Sequence, residues 1–260
     1  MPSITNPADG TEIFFDDDRA AGEAVVYLHG SALSRSIWRG LGYTKTVGAG
    51  RRNIRIDLRG HGKSGKPHRT ESYTMELITG DVLAVLDSLG IERAHLVGYS
   101  FGSRTALSIA LQQPERVLSL SMLGGTYAIE SGEIDGLFFE GYLQVLRAGD
   151  IEGFVSGQGR LDPATRMAFL ANDPLALAAY FEAAETLQRL ELEQLRALRV
   201  PTLLLAGTRD QPRFEHNKVM ARTMPHARLV PLVDRTHGST LFPIEPGATQ
   251  IAQFLDRHDR

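Results

Sequence analysis

The sequence contains no cysteine. This absence excludes a disulfide-stapled scaffold, a thiolate-ligated zinc or iron–sulfur site, and a cysteine nucleophile. An excess of basic charge is also missing, because 28 Lys and Arg residues stand against 31 Asp and Glu residues, which gives a net charge of -3. Nucleic acid is therefore not expected as a partner.

Apolar runs are short throughout the chain, and none approaches the ~20 residues that a membrane-spanning helix needs. Residues 1–9 contain neither a basic segment nor an apolar one, so we do not expect a signal peptide. These absences predict a cytoplasmic protein with no membrane partner. The composition, 42% apolar and 23% charged over 260 residues, is that of a globular protein with one large domain or one domain carrying an insertion.

Short β-rich runs alternate with helical patterns along most of the chain. Met75, Ile78 and Val82 recur at spacings of three and four, which is typical of one face of a helix. The β-rich runs are almost continuously apolar. This is typical of strands in a parallel sheet that is covered by helices on both faces. The sequence therefore predicts an α/β fold with a mostly parallel sheet. The predicted strands are 24–28, 53–57, 94–97, 117–123, 202–206 and 228–233, and the predicted helices include 75–89, 101–113 and 248–255.

The alternation stops between Thr126 and Leu198, where no convincing strand occurs. We interpret residues 126–198 as a helical cap and call them the cap segment. This cap would be inserted into a core formed by residues 1–125 and 199–260. The alternative is that its helices simply pack on the sheet.

Two helices are predicted within the cap segment. The first covers the aromatic-rich residues 137–146, and the second begins after Asp173, with Pro174 at its first position, and runs towards Leu195. The many large side chains predict a pocket for an apolar substrate, although they could instead all form the interior of the cap. The residues that we expect to bind substrate are Phe138, Phe139, Tyr142 and Phe181.

Residues 98–102 read Gly-Tyr-Ser-Phe-Gly, a G-x-S-x-G motif between a predicted strand and a predicted helix. A sharp turn at this place strains the backbone of the serine and presents its oxygen above the sheet, at the positive end of the following helix. A serine that only forms a turn is the alternative, and the position between strand and helix disfavours it. We therefore predict that Ser100 is the nucleophile.

A serine nucleophile needs a general base, and the base needs a carboxylate to orient it. His237 follows the last predicted strand, and Asp210 follows the strand before it. Because catalytic groups gather at the carboxyl ends of parallel strands, we expect both side chains beside Ser100. Asp234 is the competing carboxylate, but its closeness to His237 in the sequence suits it better to shaping the loop.

Residues 29–32 read His-Gly-Ser-Ala and follow an early strand, where a backbone amide helps to bind the oxyanion of acyl transfer. The residue after the nucleophile supplies a second amide. We expect the oxyanion hole to consist of the amide of Phe101 and that of Ser31 or Ala32. His29 itself is expected to be structural.

Together these motifs resemble the α/β-hydrolase superfamily, from about Thr11 to Leu255. The resemblance implies an eight-stranded, mostly parallel sheet with helices on both faces, a helical cap after the sixth strand, and neither a cofactor nor a metal. It is strongest to the capped esterase, peroxidase-like and ring-cleavage-product hydrolase branches. The segments that carry it are His29-Gly30, Asp57-x-Arg59-Gly60-His61-Gly62-x-Ser64, Gly98-x-Ser100-x-Gly102, Gly207-x-x-Asp210 and His237-Gly238.

The function that follows is hydrolysis of an ester, thioester or lactone of a mainly apolar small molecule through an acyl-enzyme. Cleavage of a carbon–carbon bond in a ring-cleavage product is the alternative reaction. A receptor-like protein that closes its cap on a ligand is less favoured, because the sequence retains all three triad residues. An apolar cap also suits a homodimer contact, so the oligomeric state stays open.

Overall fold

The computed structural model describes residues 2–130 and 132–259. Its strands are β1 (Ser3–Thr5), β2 (Glu12–Asp17), β3 (Ala24–Leu28), β4 (Arg52–Ile56), β5 (Ala94–Tyr99), β6 (Val117–Leu123), β7 (Thr202–Gly207) and β8 (Ala227–Leu232). They form one eight-stranded sheet in the order β1-β2-β4-β3-β5-β6-β7-β8. The pairs β1–β2 and β2–β4 are antiparallel, and every pair from β4 to β8 is parallel. The predicted fold class is confirmed.

Helices lie on both faces of this sheet. The predicted helices 75–89, 101–113 and 248–255 correspond to the helices Met75–Ser88, Phe101–Gln112 and Gly247–Asp256. None of the helices in the described ranges is long and apolar enough to cross a membrane. Outside the cap segment the helices are α1 (Ser36–Gly40), α2 (Tyr43–Thr46), α3 (Met75–Ser88), α4 (Phe101–Gln112), α11 (Arg213–Thr223), α12 (His237–Leu241) and α13 (Gly247–Asp256), with 3-10 turns at Thr70–Tyr73 and Pro114–Arg116.

Two apolar layers hold the helices on the sheet, because successive strand residues point to opposite faces. On β3, Val26 packs into the layer that contains α3, α4 and α11, whereas Val25 packs into the layer that contains α13. Both side chains are fully buried. The parallel strands therefore end at one shared edge between the two helical layers, and the loops at that edge carry the site.

Strands β1 and β2 were not predicted from local patterns. In β2, Ile13 and Phe15 are buried on one face, but the strand continues into Asp16 and Asp17, which are poor strand formers. The two carboxylates are stabilised by arginines of neighbouring segments, since Arg52 Nη2 lies 2.6 Å from Asp17 Oδ2. Such a partner is a tertiary contact that local reading does not supply.

Between β6 and β7 the described residues form helices and no strand. The second predicted helix begins as expected, because the Asp173 side chain accepts a hydrogen bond from the Ala176 amide at 3.0 Å. The helix predicted over 137–146 is wrong, because one helix ends at Leu137 and the next begins only after Gly141, which adopts φ 86°. The helices are α5 (Glu133–Leu137), α6 (Tyr142–Arg147), α7 (Ile151–Gly157), α8 (Pro163–Leu170), α9 (Pro174–Glu185) and α10 (Leu192–Ala197), so α9 also ends earlier than predicted.

Candidate active site

Ser100 occupies the sharp turn between β5 and α4. Its backbone has φ 53° and ψ -118°, a conformation that a residue other than glycine rarely adopts. Glycines allow the turn, since a Cβ on Gly98 would lie 2.5 Å from the Gly102 backbone, and a Cβ on Gly102 would lie 2.1 Å from the Leu28 carbonyl oxygen. The turn therefore holds the Ser100 side chain at the carboxyl edge of the sheet, as the motif predicts.

The structure brings Ser100, His237 and Asp210 into one hydrogen-bonded chain. The His237 Nε2 atom lies 2.9 Å from Ser100 Oγ, and its Nδ1 atom lies 2.8 Å from Asp210 Oδ2. Asp210 follows β7 and is 3% exposed, whereas His237 opens α12 after β8. With Nδ1 protonated towards the carboxylate, Nε2 is free to accept the serine proton. This arrangement can activate an alcohol as a nucleophile.

Asp234, the competing carboxylate, does not take part in this chain. It is exposed, it adopts φ 59°, and its amide donates a hydrogen bond to Thr208 Oγ1 at 2.9 Å. Asp and Asn tolerate this left-handed conformation better than most residues. Asp234 therefore shapes the loop before His237, as the spacing suggests.

Burial is the main influence on the proton affinity of His237. It lowers the pKa of the imidazole from the ordinary value of 6.5, the Asp210 hydrogen bond opposes it, and the Arg213 cation adds to the lowering. Arg213 Nη1 lies 4.0 Å from Asp210 Oδ1, and Arg213 Nη2 lies 2.6 Å from Glu133 Oε1 of the cap segment. Neither Arg213 nor Glu133 belongs to a sequence motif, so sequence reasoning missed them.

The backbone amides of Ser31 and Phe101, near Ser100, donate no hydrogen bond to any acceptor among the described residues. Phe101 is a predicted oxyanion donor, and Ser31 is one of the two alternatives predicted for the other donor. The amide of Ala32, the alternative to Ser31, instead donates to His61 Nε2 at 3.1 Å. Ala32 is therefore the wrong candidate, because its only N–H is already used.

Two buried histidines hold the loop after β3. His29 is structural, as expected, since its Nε2 accepts from the Leu58 amide at 3.1 Å and its Nδ1 lies 2.8 Å from the Gly30 carbonyl oxygen. His61 binds the Ala32 amide through Nε2, and its Nδ1 lies 3.0 Å from the Arg59 carbonyl oxygen. Burial lowers the pKa of His61 to about 3, so the ring stays neutral and can accept that bond.

The predicted substrate-binding aromatics divide into two groups. Tyr142 and Phe181 are 0% and 1% exposed, and the Tyr142 hydroxyl donates to Glu185 at 2.7 Å. They fill the interior of the cap segment and face no open surface, so for these two the prediction is wrong. Phe138 and Phe139 are half-buried and remain predicted substrate contacts.

Tyr180, a residue of the cap segment that no motif marks, packs against the nucleophile turn. Its ring centroid lies 4.8 Å from that of Phe101 and 5.0 Å from that of Phe181. Phe181 in turn lies 5.1 Å from Phe138. A continuous series of edge-on ring contacts therefore leads from the residue after Ser100 into the cap segment.

Residues 23–181 match the alpha/beta hydrolase fold family. The chain belongs to this family. Over 120 residues, this α/β hydrolase is 42% identical to the 2-hydroxy-6-oxononadienedioate/2-hydroxy-6-oxononatrienedioate hydrolase of Paraburkholderia phymatum, a match that covers 45% of this chain and only 41% of that protein. Over 262 residues, it is 27% identical to the AB hydrolase superfamily protein YisY of Bacillus subtilis, covering 92% and 94% of the two chains.

The crystal structure of the enol-lactonase from Burkholderia xenovorans LB400 has the same fold. It superimposes with a TM-score of 0.83 at 24% identity, covering 98% of this α/β hydrolase and 100% of the enol-lactonase. The superposition shows that the two proteins share a fold.

Proposed function

We propose that this α/β hydrolase is a serine hydrolase that cleaves an ester, thioester or lactone of a mainly apolar small molecule. The observation that carries the proposal is the chain of hydrogen bonds from Ser100 through His237 to Asp210, 2.9 Å and 2.8 Å long. Each member comes from a different loop at the carboxyl edge of the sheet, and the nucleophile has a strained backbone. A serine that only forms a turn needs neither the hydrogen-bonded chain nor the strained backbone.

The reaction proceeds through an acyl-enzyme. Ser100 Oγ attacks the carbonyl carbon while its proton passes to His237 Nε2, and the negative charge on the carbonyl oxygen is stabilised by the amides of Ser31 and Phe101. The imidazolium, stabilised by Asp210, then gives the proton to the leaving oxygen or sulfur as the bond to the carbonyl carbon breaks. Water repeats both steps and releases the acid and free Ser100.

Apolar surroundings favour an apolar acyl or alcohol group. The rings of Phe101, Tyr180 and Phe138 belong to one series of edge-on contacts, which includes Phe181 and begins at the nucleophile turn. The lactone class is in keeping with the similarity in fold to an enol-lactonase. The cytoplasmic location remains a prediction, and the oligomeric state stays open.

A second candidate is hydrolysis of a carbon–carbon bond beside a carbonyl group. The relative that is 42% identical over 120 residues is named a 2-hydroxy-6-oxononadienedioate/2-hydroxy-6-oxononatrienedioate hydrolase, and this name favours the second candidate. The same three side chains would act, with the proton of His237 delivered to a carbon leaving group. Parallel assays on p-nitrophenyl butyrate, a γ-lactone and a 2-hydroxy-6-oxodienoate would separate the two reactions, since the ratio of their kcat/KM values identifies the preferred bond.

The nucleophile is tested by Ser100→Ala together with fluorophosphonate labelling. We expect loss of p-nitrophenyl butyrate hydrolysis by at least about a thousandfold, an unchanged melting temperature, and a fluorophosphonate adduct that mass spectrometry places on Ser100 of the unmodified enzyme. Ser36→Ala, which removes an exposed hydroxyl, serves as the control and should hydrolyse the ester normally. An adduct on a different serine would refute the assignment.

A further inference from the structure

One cap residue, Tyr180, contacts both residues whose amides form the candidate oxyanion hole. Its hydroxyl lies 2.6 Å from Ser31 Oγ, and its ring packs edge-on against the ring of Phe101 with centroids 4.8 Å apart. Tyr180 is 1% exposed, and His61 and Tyr73 pack against its other sides. The ring is therefore fixed, and its hydroxyl has a defined partner.

A second cap residue binds the next position of the same loop. Asn172 Nδ2 donates to the Ala32 carbonyl oxygen at 2.8 Å. The same nitrogen lies 2.9 Å and 3.1 Å from the carbonyl oxygens of Ala168 and Phe169, which share its second N–H and tie Asn172 to the end of α8. Both contacts join the cap segment to the loop after β3.

The loop needs such support because its backbone is strained. Ala32 adopts φ 60°, a left-handed conformation that alanine keeps only when its surroundings hold it. His61 holds its amide from the core side, and Asn172 holds its carbonyl from the cap side. The direction of the neighbouring Ser31 amide is set by this backbone, so the contacts from the cap segment bear on where that N–H points.

We propose that Tyr180 is a positioning residue for the oxyanion hole, acting through the Ser31 hydroxyl to hold the Ser31 amide towards the reacting carbonyl. The inference rests on the proposed serine hydrolase function. It makes the cap segment a structural part of the catalytic machinery in addition to a cover for the substrate. A positioning role predicts a lower kcat with little change in KM, because the oxyanion forms only in the transition state.

The test is a double-mutant cycle with Tyr180→Phe, Ser31→Ala and the double variant. Ser31→Ala removes the hydroxyl but keeps the backbone amide. Each single variant should lower kcat for p-nitrophenyl butyrate about fivefold, the effect of one lost hydrogen bond. The double variant should also lose only about fivefold, because both changes break the same bond. The inhibition constant of an alkyl trifluoromethyl ketone, whose adduct carries an oxyanion, should rise by the same factor.

Tyr27→Phe is the matched control. It removes a buried hydroxyl whose partner, Asn53 Oδ1 at 2.9 Å, lies away from the site, so kcat should not change. Single effects that multiply to about 25-fold in the double variant would overturn the proposal, since the two hydroxyls would then act independently. A rise in KM at constant kcat would also overturn it and make Tyr180 a substrate contact. Ser100→Ala tells the two failures apart. If this variant retains full activity, the proposed serine hydrolase function is wrong. If it is inactive and the double-mutant cycle is additive, only the role of Tyr180 is wrong.

Discussion

Replacing Asp210 by asparagine should reduce kcat by about a thousandfold while preserving the fold. The amide has nearly the same shape, but it removes the negative charge that lies 2.8 Å from His237 Nδ1. Asp210 is 3% exposed, so solvent screens this pair weakly. Two opposite charges about 4 Å apart attract by about 4 kcal/mol at an effective dielectric constant of 20. The imidazole becomes charged only as the reaction proceeds, so the variant loses this attraction in the transition state. A loss of about 4 kcal/mol corresponds to about three powers of ten in rate.

The assay compares Asp210→Asn with Asp234→Asn by steady-state hydrolysis of a p-nitrophenyl ester and by thermal melting. Asp234 is exposed and lies in a left-handed conformation that asparagine also tolerates, so the control makes the same chemical change without touching His237. We expect normal kcat and an unchanged melting temperature for the control. A loss of less than tenfold for Asp210→Asn, or a larger loss for Asp234→Asn, would refute the assignment of the acid.

The remaining predictions concern pH, stability and specificity. Activity needs the neutral imidazole, and burial lowers the pKa of His237, so kcat/KM should fall only as the pH drops below 6.5; an acidic midpoint above 6.5 would contradict this. Asp81→Asn should lower the free energy of unfolding by about 3 kcal/mol in urea titrations, because Arg59, 2.7 Å away and fully buried, loses its buried charged partner and keeps only the more exposed Asp9. A loss under 1 kcal/mol would count against it. For the unmodified enzyme, kcat/KM should rise up to about fourfold per added acyl carbon until the pocket is full, and Phe138→Ala should move that limit to longer chains. A flat profile in both enzymes would disprove selection by the cap segment.

The triad geometry could be anticipated because each of its residues sits where a strand ends. Apolar runs locate the strands, a parallel sheet brings their carboxyl ends to one edge, and the chemistry then selects Ser100, Asp210 and His237. Residues that act through tertiary contacts had no such signal. Tyr180 lies on α9, and only the packing of the cap segment against the core brings it to the site. Arg213 begins α11, three residues after Asp210, and its closest charged contact is Glu133 of the cap segment.

The oxyanion loop and the cap helices show where local reasoning stops. The sequence could not choose between Ser31 and Ala32, because the choice depends on His61, which takes the Ala32 amide from another loop. The aromatic run over 137–146 has helical spacing, yet α5 ends at Leu137 and Gly141, with φ 86°, comes directly before α6. Backbone conformation between the two helices outweighs the pattern of the side chains.

The cap segment lies between β6 and β7, two paired neighbours in the sheet, and this position suits its replacement by the cap of another protein. The chain leaves the sheet at one strand and returns at the strand paired beside it, with Leu120 opposite Thr202, so a foreign cap could be joined here without disturbing the sheet. The contacts of Asn172 and Tyr180 with the loop after β3 limit that freedom. A chimera would exchange the substrate pocket and the support of the oxyanion loop in a single step. Cap grafting on this core should therefore retain these two side chains, so that a change in substrate preference is not confused with a damaged catalytic loop.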